Sequence, residues 1–281
     1  MIYHTYIPRS PLSQFVAFLW SSEGDNLPKA QVRLLPIGSM ELVINLRKDE
    51  IPLFDPHSRA RCGSTRGIRI CGVHSENFII DNDSQVCVMG MHFKPGGTTP
   101  FFALAAGELH NQIVSLDELW NRRAGELRDL PDAAALRYRL LEARTLETRF
   151  LVLEHFLLTL MAQPPERHPA VDFALRQFQR LPMPTVRAVT DQIGFSARHF
   201  SQLFRDEVGL TPKLFCRVQR LRQVLYLLAG KEHVDWMDVA LTCGYFDQAH
   251  FIHDFRTFAG CTPTAYLEQR GLHPCHIVLP N

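Results

Sequence analysis

The 281-residue sequence has no CxxC pair, no HxH, no HExxH and no GxSxG, and no apolar run approaches the length of a membrane span. Each absence removes a class. Without ~20 consecutive apolar residues no transmembrane helix is expected. The opening MIYHTYIPRSPLSQF lacks the basic segment and continuous apolar stretch of a secretory leader, so a cytoplasmic protein is expected. Seven cysteines, Cys62, Cys71, Cys87, Cys216, Cys243, Cys261 and Cys275, are odd in number and scattered, which argues against a disulfide framework and a zinc site. Buried, inert thiols are the main reading, and a redox pair of Cys62 with Cys71 the minor alternative. His57, His74 and His92 lack metal-ligand spacing. With no activated nucleophile and no metal triad, an enzyme is not expected, nor a metal or cofactor. Net charge is only +1, so overall charge makes no case for nucleic acid.

What is present is a stretch that occurs twice. Residues 199–212 read HFSQLFRDEVGLTP and residues 250–263 read HFIHDFRTFAGCTP, with seven identities in fourteen at a constant shift of fifty-one. Val189, Gly194 and Phe195 continue the match onto Val239, Gly244 and Tyr245 at a shift of fifty. One structural unit is built twice. Each copy reads as a short helix, a glycine turn and a second helix, with Ser196 or Asp247 as the N-cap. That is helix-turn-helix punctuation. In copy one, Phe200, Leu203 and Phe204 share an apolar face, which leaves Arg198, Ser201, Gln202 and Arg205 on the other. In copy two, Phe251, Phe255 and Phe258 turn inward, which leaves Gln248, Ala249, Ile252, His253 and Arg256 outside. Arg198, Arg205, Lys213, Arg217, Arg220 and Arg222 form a local basic strip against only Asp206 and Glu207, enough for phosphate contacts.

The run Ala240-Leu241-Thr242-Cys243-Gly244-Tyr245 with Asp247-Gln248, His250-Phe251, Phe255-Arg256, Gly260, Thr262-Pro263 and Tyr266 resembles the signature of AraC/XylS-type transcription regulators. The resemblance covers about the last hundred and ten residues. It implies a seven-helix domain with two helix-turn-helix units joined by one long helix. Thr190 departs from it, standing where the family usually has alanine, and so does Phe246, an added residue between the turn and its cap.

The first hundred residues read mostly as short strands, including Leu42 to Leu46, Ile68-Arg69-Ile70, Phe78-Ile79-Ile80 and Val86-Cys87-Val88. They are separated by turn residues such as Lys94-Pro95-Gly96-Gly97. A β-rich barrel or sandwich is expected. Glu41 and Asn45 share a strand face with Val43. If that face points inward, Glu41, Asn45 and His92 are candidate ligand-binding groups in an apolar pocket; if outward, the first two are solvated. Leu35-Pro36, Gly38, Glu41-Leu42-Val43, Asn45-Leu46 and His92-Phe93-Lys94-Pro95-Gly96-Gly97 resemble, more loosely, an N-terminal domain found ahead of a subset of AraC-type regulators. That implies a sensory or oligomerisation role and names no ligand.

Helical spacing takes over from Leu116 to Met161, interrupted near Leu130-Pro131. Leu146, Phe150, Leu153, Leu157 and Leu160 form a heptad seam, which either packs into its own domain or makes a dimer contact. Gln163 to Pro169 reads as a linker. The expected architecture is therefore two-domain. Residues 1–163 form a β-rich sensory or oligomerisation domain with added helices, and residues 169–281 an all-α DNA-binding domain with recognition helices near 197–208 and 248–258. Pro212 to Gly230 is the spacer helix, suited to hold two readers near the ~34 Å repeat of the major groove. The function expected is a sequence-specific, ligand-responsive transcription regulator. Arg198 and Gln202 would read bases, Ala249, Ile252 and His253 thymine methyls or shape, and Arg205 and Arg256 phosphates. Its partners are double-stranded DNA, a small-molecule effector, a second copy of the chain through the N-terminal domain, and RNA polymerase in the case of an activator; no membrane is expected.

Overall fold

The computed structural model describes residues 2–24, 30–102, 104–121, 132–161, 167–231, 233–271 and 273–279. Both Leu130-Pro131 and residues 163–166 of the linker fall outside this set. The strands, in order, are β1 (Ile2–Tyr6), β2 (Val16–Glu23), β3 (Gln31–Leu34), β4 (Glu41–Asn45), β5 (Glu50–Phe54), β6 (Arg61–Arg66), β7 (Ile68–Cys71), β8 (Phe78–Asp81), β9 (Cys87–Phe93), β10 (Ile113–Ser115) and β11 (His276–Val278). They make two antiparallel sheets, one in the order β1-β2-β9-β4-β7-β10 and one in the order β11-β3-β8-β5-β6. The central strands of the first sheet are buried on both faces, whereas the edge strand β1 is exposed. Leu19, Leu42, Ile44, Ile70, Met89 and Met91 point one way into the main core, while Trp20, Val43, Cys71 and Val88 point the other way. Successive side chains alternate across a strand, so β2, enclosed on both sides, carries no apolar-polar alternation in Val16-Ala17-Phe18-Leu19-Trp20.

Helices α1 (Thr99–Phe102), α2 (Leu116–Asn121), α3 (Ala133–Glu142) and α4 (Leu146–Leu160) complete this core. Phe150, Leu153, Leu157 and Leu160 of the heptad seam are all buried within it. The seam is therefore intramolecular, and of the flanking apolar residues Leu151 and Leu158 face outward. Asn45 is also committed. Its amide donates to Ser84 O at 2.8 Å, and its Oδ1 accepts from Arg47 N and Lys48 N at 2.9 and 2.7 Å. It caps the turn after β4 and is no ligand group, correcting the sequence reading.

The helical domain holds α5 (Pro169–Phe178), α6 (Val186–Ile193), α7 (Ala197–Val208), α8 (Pro212–Leu228), α9 (Trp236–Thr242), α10 (Gln248–Ala259) and α11 (Pro263–Gln269). The shared Gly-x-Thr-Pro explains itself in both copies. Gly209 and Gly260 end α7 and α10 in the left-handed region at φ 94° and 70°, where a Cβ is strained. Thr211 and Thr262 then accept from Leu214 N and Ala265 N as N-caps, and Pro212 and Pro263 take the first helical position, where no N–H is needed. Phe200 and Phe204 meet edge-to-face at 5.7 Å, and Phe251 and Phe255 at 5.8 Å. Thr190 packs without loss, because its hydroxyl donates to Val186 O at 2.8 Å.

Candidate nucleic-acid interface and an intersheet cavity

Ser196 Oγ accepts from His199 N and Asp247 Oδ1 from His250 N, so both recognition helices start at their predicted caps. From there the outward residues are laid out in parallel. Arg198, Gln202 and Arg205 are exposed on α7 and Ser201 is half-buried; on α10, Ala249, His253 and Arg256 are exposed while Gln248 and Ile252 are half-buried. Gln202 is not idle: its amide donates to Asp206 Oδ1 at 2.8 Å, a bond it must exchange to read a base edge.

The basic strip divides. Arg217 forks onto Asp254 of α10, with Nη2 and Nε donating to Oδ1 at 2.6 and 3.0 Å, and lies over the Phe258 ring at 5.0 Å. Arg220 lies over Tyr245 and donates to Gly244 O, and Arg222 stacks on Tyr226. Arg217 and Arg220 thus fasten the spacer helix to the second unit, while the Arg222 contact lies within the helix itself. Spacing alone could not separate them from Arg198, Arg205 and Lys213.

The N-terminal domain grips both recognition helices at their C-terminal ends. At Gly209 a Cβ would lie 2.9 Å from Val73, and at Gly260 2.9 Å from the Arg33 guanidinium. Arg33 donates to Ala259 O at 3.2 Å and Asn77 to Phe258 O at 3.0 Å. These satisfy carbonyls that the end of α10 leaves free, and the Arg33 charge complements the negative end of the helix dipole. The aliphatic part of Arg205 rests against Gly107 in the 3-10 turn Ala106–Leu109. Both docking sites spare the N-terminal halves of α7 and α10, which carry Arg198 to Gln202 and Gln248 to His253.

Between the two sheets lies a cavity of about 350 Å³. Strand register sets its floor in two rows, Phe18-His92-Glu41-Cys71 and Trp20-Gly90-Val43-Arg69. Leu34, Ile51, Leu53, Phe78 and Ile80 of the second sheet face it. Two of the three ligand candidates are therefore together: Glu41 and His92 line the cavity and form an ion pair. Burial works to raise the Glu41 carboxyl, and the adjoining His92 outweighs it, holding the group below the usual carboxylate range.

The rest of the lining could not be read locally. His273, Cys275 and His276 arrive from the far end of the chain, where β11 pairs with β3 through His276 opposite Leu34 and Val278 opposite Val32. Burial pushes His276 down to about 4, and His74 likewise to about 4. Leu34, Phe78 and Ile80 face the cavity while their neighbours Arg33 and Asn77 hold α10, so one strand layer separates the cavity from the second recognition helix. Among the described residues no group of three or more His, Cys, Asp or Glu is placed to hold a metal ion, and no helix is long and apolar enough to cross a membrane.

Residues 189–269 match the family model of a helix-turn-helix domain, and residues 4–115 that of a domain of unknown function, DUF6597. The chain is similar to RclR of Escherichia coli, an RCS-specific HTH-type transcriptional activator, at 31% identity over 110 residues, 38% of this chain and 38% of RclR. It is similar to RhaR of Yersinia pseudotuberculosis, an HTH-type transcriptional activator, at 36% identity over 72 residues, 26% of this chain and 24% of RhaR. The chain thus spans well under half the length of the curated relatives it matches. Of solved structures, ToxT from Vibrio cholerae is similar over 95% of this chain and 98% of that chain, at 9% identity and a TM-score of 0.45.

Proposed function

Starting from a chain whose residues 189–269 match a helix-turn-helix domain and resemble the AraC/XylS signature, we propose a transcription regulator that reads duplex DNA sequence-specifically with α7 and α10 and responds to a small molecule in the N-terminal cavity. The observation that carries the reading is the repeated helix with a capped, outward N-terminal half and a C-terminal end held elsewhere. Recognition helices of this type read bases from their N-terminal residues. Arg198 and Gln202 form the hydrogen-bonding reader, suited to guanine and adenine edges. Ala249, Ile252 and His253 form a less polar reader for thymine methyls and groove shape. Ser201 and Gln248 flank these groups, and Arg205 and Arg256, one turn on, hold phosphates. The spacer α8, about 25 Å long at ~1.5 Å per residue, sets the two readers on one bipartite, non-palindromic site.

The cavity supports the second half of the reading through Glu41 and His92 in its floor and β11 along its edge. A ligand shifts DNA affinity only if it binds two arrangements of the molecule differently. Strands β3 and β8 are the shortest route, with cavity on one face and the end of α10 on the other. The protein is assigned a regulatory role rather than an enzymatic one, in the cytoplasm, with residues 1–163 as the sensory part and 169–281 as the DNA-binding part. Both curated relatives are named activators, so activation, with RNA polymerase as partner, is the direction proposed. A homodimer through the N-terminal domain rests on the exposed Leu151 and Leu158, and sedimentation equilibrium of the full chain tests it.

The central test is binding of the full chain to duplexes selected from a random pool, followed by fluorescence anisotropy against unselected duplex at moderate salt. Specific sites should bind orders of magnitude more tightly, and affinity should fall steeply with salt. Equal affinity for selected and random duplex overturns the reading.

A further inference from the structure

The two rows of the cavity floor differ in charge balance. In the first row Glu41 is paired with His92. In the second row the guanidinium of Arg69, only 4% exposed, has no carboxylate bonded to it among the described residues, and its Nη1 lacks a hydrogen-bond partner. The adjoining Cys71 thiol cannot balance the charge, because burial pushes it up to about 12 and keeps it neutral.

Arg69 is not alone. Trp20 Nε1, Ser22 Oγ, His74 Nε2 and Gln85 Nε2 are also buried without a partner, and all of these residues line the same cavity. Arginine Nη1, tryptophan Nε1 and glutamine Nε2 can only donate. An unmade buried hydrogen bond costs about 1–3 kcal/mol, more for a charged group, and buried polar groups are satisfied in the large majority of cases. A cluster of unsatisfied donors converging on one space around one buried cation fits an acceptor that carries negative charge. Water can accept from each donor, but it cannot neutralise Arg69.

We propose that this cavity binds a compact organic monocarboxylate, its head seated between Arg69, Trp20, Ser22 and Gln85 and its apolar body along Val43, Leu53 and Phe78. The inference rests on the reading above that a small molecule acts here, and it adds the molecule's class. A single guanidinium balances one negative charge and offers a planar fork that matches a carboxylate, which favours a monocarboxylate over a doubly charged phosphate ester. Gly90 lets the Trp20 ring lie against the floor of this row, since a Cβ there would lie 2.8 Å from that ring. Size follows from volume. A ~150 Å³ apolar cavity holds benzene, so about 350 Å³ has room for roughly twice as many heavy atoms.

The test is calorimetric titration of the full chain with benzoate, cyclohexanecarboxylate and 3-phenylpropanoate, each against its primary amide, with DNA affinity measured in the same samples. At least one acid should bind roughly tenfold or more tightly than its amide. Arg69→Met should remove that preference, weakening the acid roughly ten- to a hundredfold and the amide much less. Trp20→Phe keeps an aromatic ring at this position while removing the N–H donor and part of the indole, and should weaken the acid several-fold more than its amide, so the outcome does not hang on folding of the Arg69 variant. No acid preferred over its amide, or acid binding undiminished in both variants, overturns the proposal. Specific DNA binding with no acid preference rejects the monocarboxylate and leaves the DNA-binding reading intact. Acid binding that leaves DNA affinity unmoved upholds the monocarboxylate and rejects the ligand response.

Discussion

The ion pair between Arg217 of α8 and Asp254 of α10 should be sharply asymmetric under mutation. Asp254 has 3% of its side chain exposed and Arg217 28%, at an N···O distance of 2.6 Å. Arg217→Met leaves a carboxylate buried without a counter-charge, a change that costs about 3–5 kcal/mol. Asp254→Asn leaves a guanidinium that reaches water and keeps the Phe258 ring at 5.0 Å, so the loss is nearer that of one charge-assisted hydrogen bond, about 1.5–3 kcal/mol. The double variant Arg217→Met/Asp254→Leu, with both charges gone and volume kept, should recover much of the Arg217→Met loss. Equilibrium urea unfolding followed by Trp236 fluorescence reads this end of the molecule directly, since Trp236 stacks on Phe251 at 5.9 Å; a Trp20→Phe/Trp120→Phe background silences the other two indoles. Because the pair fastens α10 to the spacer, affinity for the half-site read by α10 should fall with stability while the other half-site holds. An Asp254→Asn cost equal to or above that of Arg217→Met, or a double variant no better than Arg217→Met, refutes the reasoning.

Arg198→Ala should relax base preference in one half-site, by about 1–3 kcal/mol for a bidentate guanine contact, whereas Arg205→Ala should weaken all sequences alike; selection on random duplex reads both, and reversed outcomes overturn the assignment. Gly260→Ala forces a Cβ into the left-handed region at φ 70°, costing about 1–2 kcal/mol, and also presses on Arg33. Its thermal midpoint should therefore drop more than that of Gly230→Ala, at φ 74° with nothing within 4 Å; equal drops would show that the contact with the N-terminal domain contributes nothing. Burial lowers His74 from 6.5 to about 4, with His110 adding to the shift and Glu41 opposing it. The unfolded chain then binds this proton first, so the contribution is present above pH 6.5 and lost as pH falls toward 4, on the order of 3 kcal/mol. Urea midpoints against pH should flatten over that window in His74→Asn, and an unchanged slope refutes the assignment.

The helical half was legible because its information is local. Caps, left-handed glycines and Thr-Pro starts each act within a few residues, and the repeat supplied them twice, so Ser196, Asp247, Gly209 and Gly260 all stand where their chemistry requires. The cavity was legible only in part. Glu41 and His92 could be named because one strand face was suspected of pointing inward, and Asn45, on the same face, went to a turn cap one step beyond the cavity. Arg69 sits in Ile68-Arg69-Ile70 like the outward residue of any half-buried strand, and only the second sheet, assembled from distant segments, encloses it. His273 and His276 follow the last helix, where nothing nearby signals a strand. The seam on α4 shows the converse: heptad spacing is local, but which surface covers it is not.

The pairing of β11 with β3 has a consequence for how the protein is made. On the ribosome, β3 emerges early, with one edge paired to β8 and the other open, and an open edge strand is a template for pairing with the wrong chain. The strand that closes it lies beyond both helix-turn-helix units, so this sheet cannot be finished until the helical domain has been synthesised. Chains arrested before His276 should therefore expose β3 amides to hydrogen exchange and aggregate through that edge, whereas released full-length chains protect them. Assembly of this sheet runs against the usual order in which N-terminal domains complete themselves first.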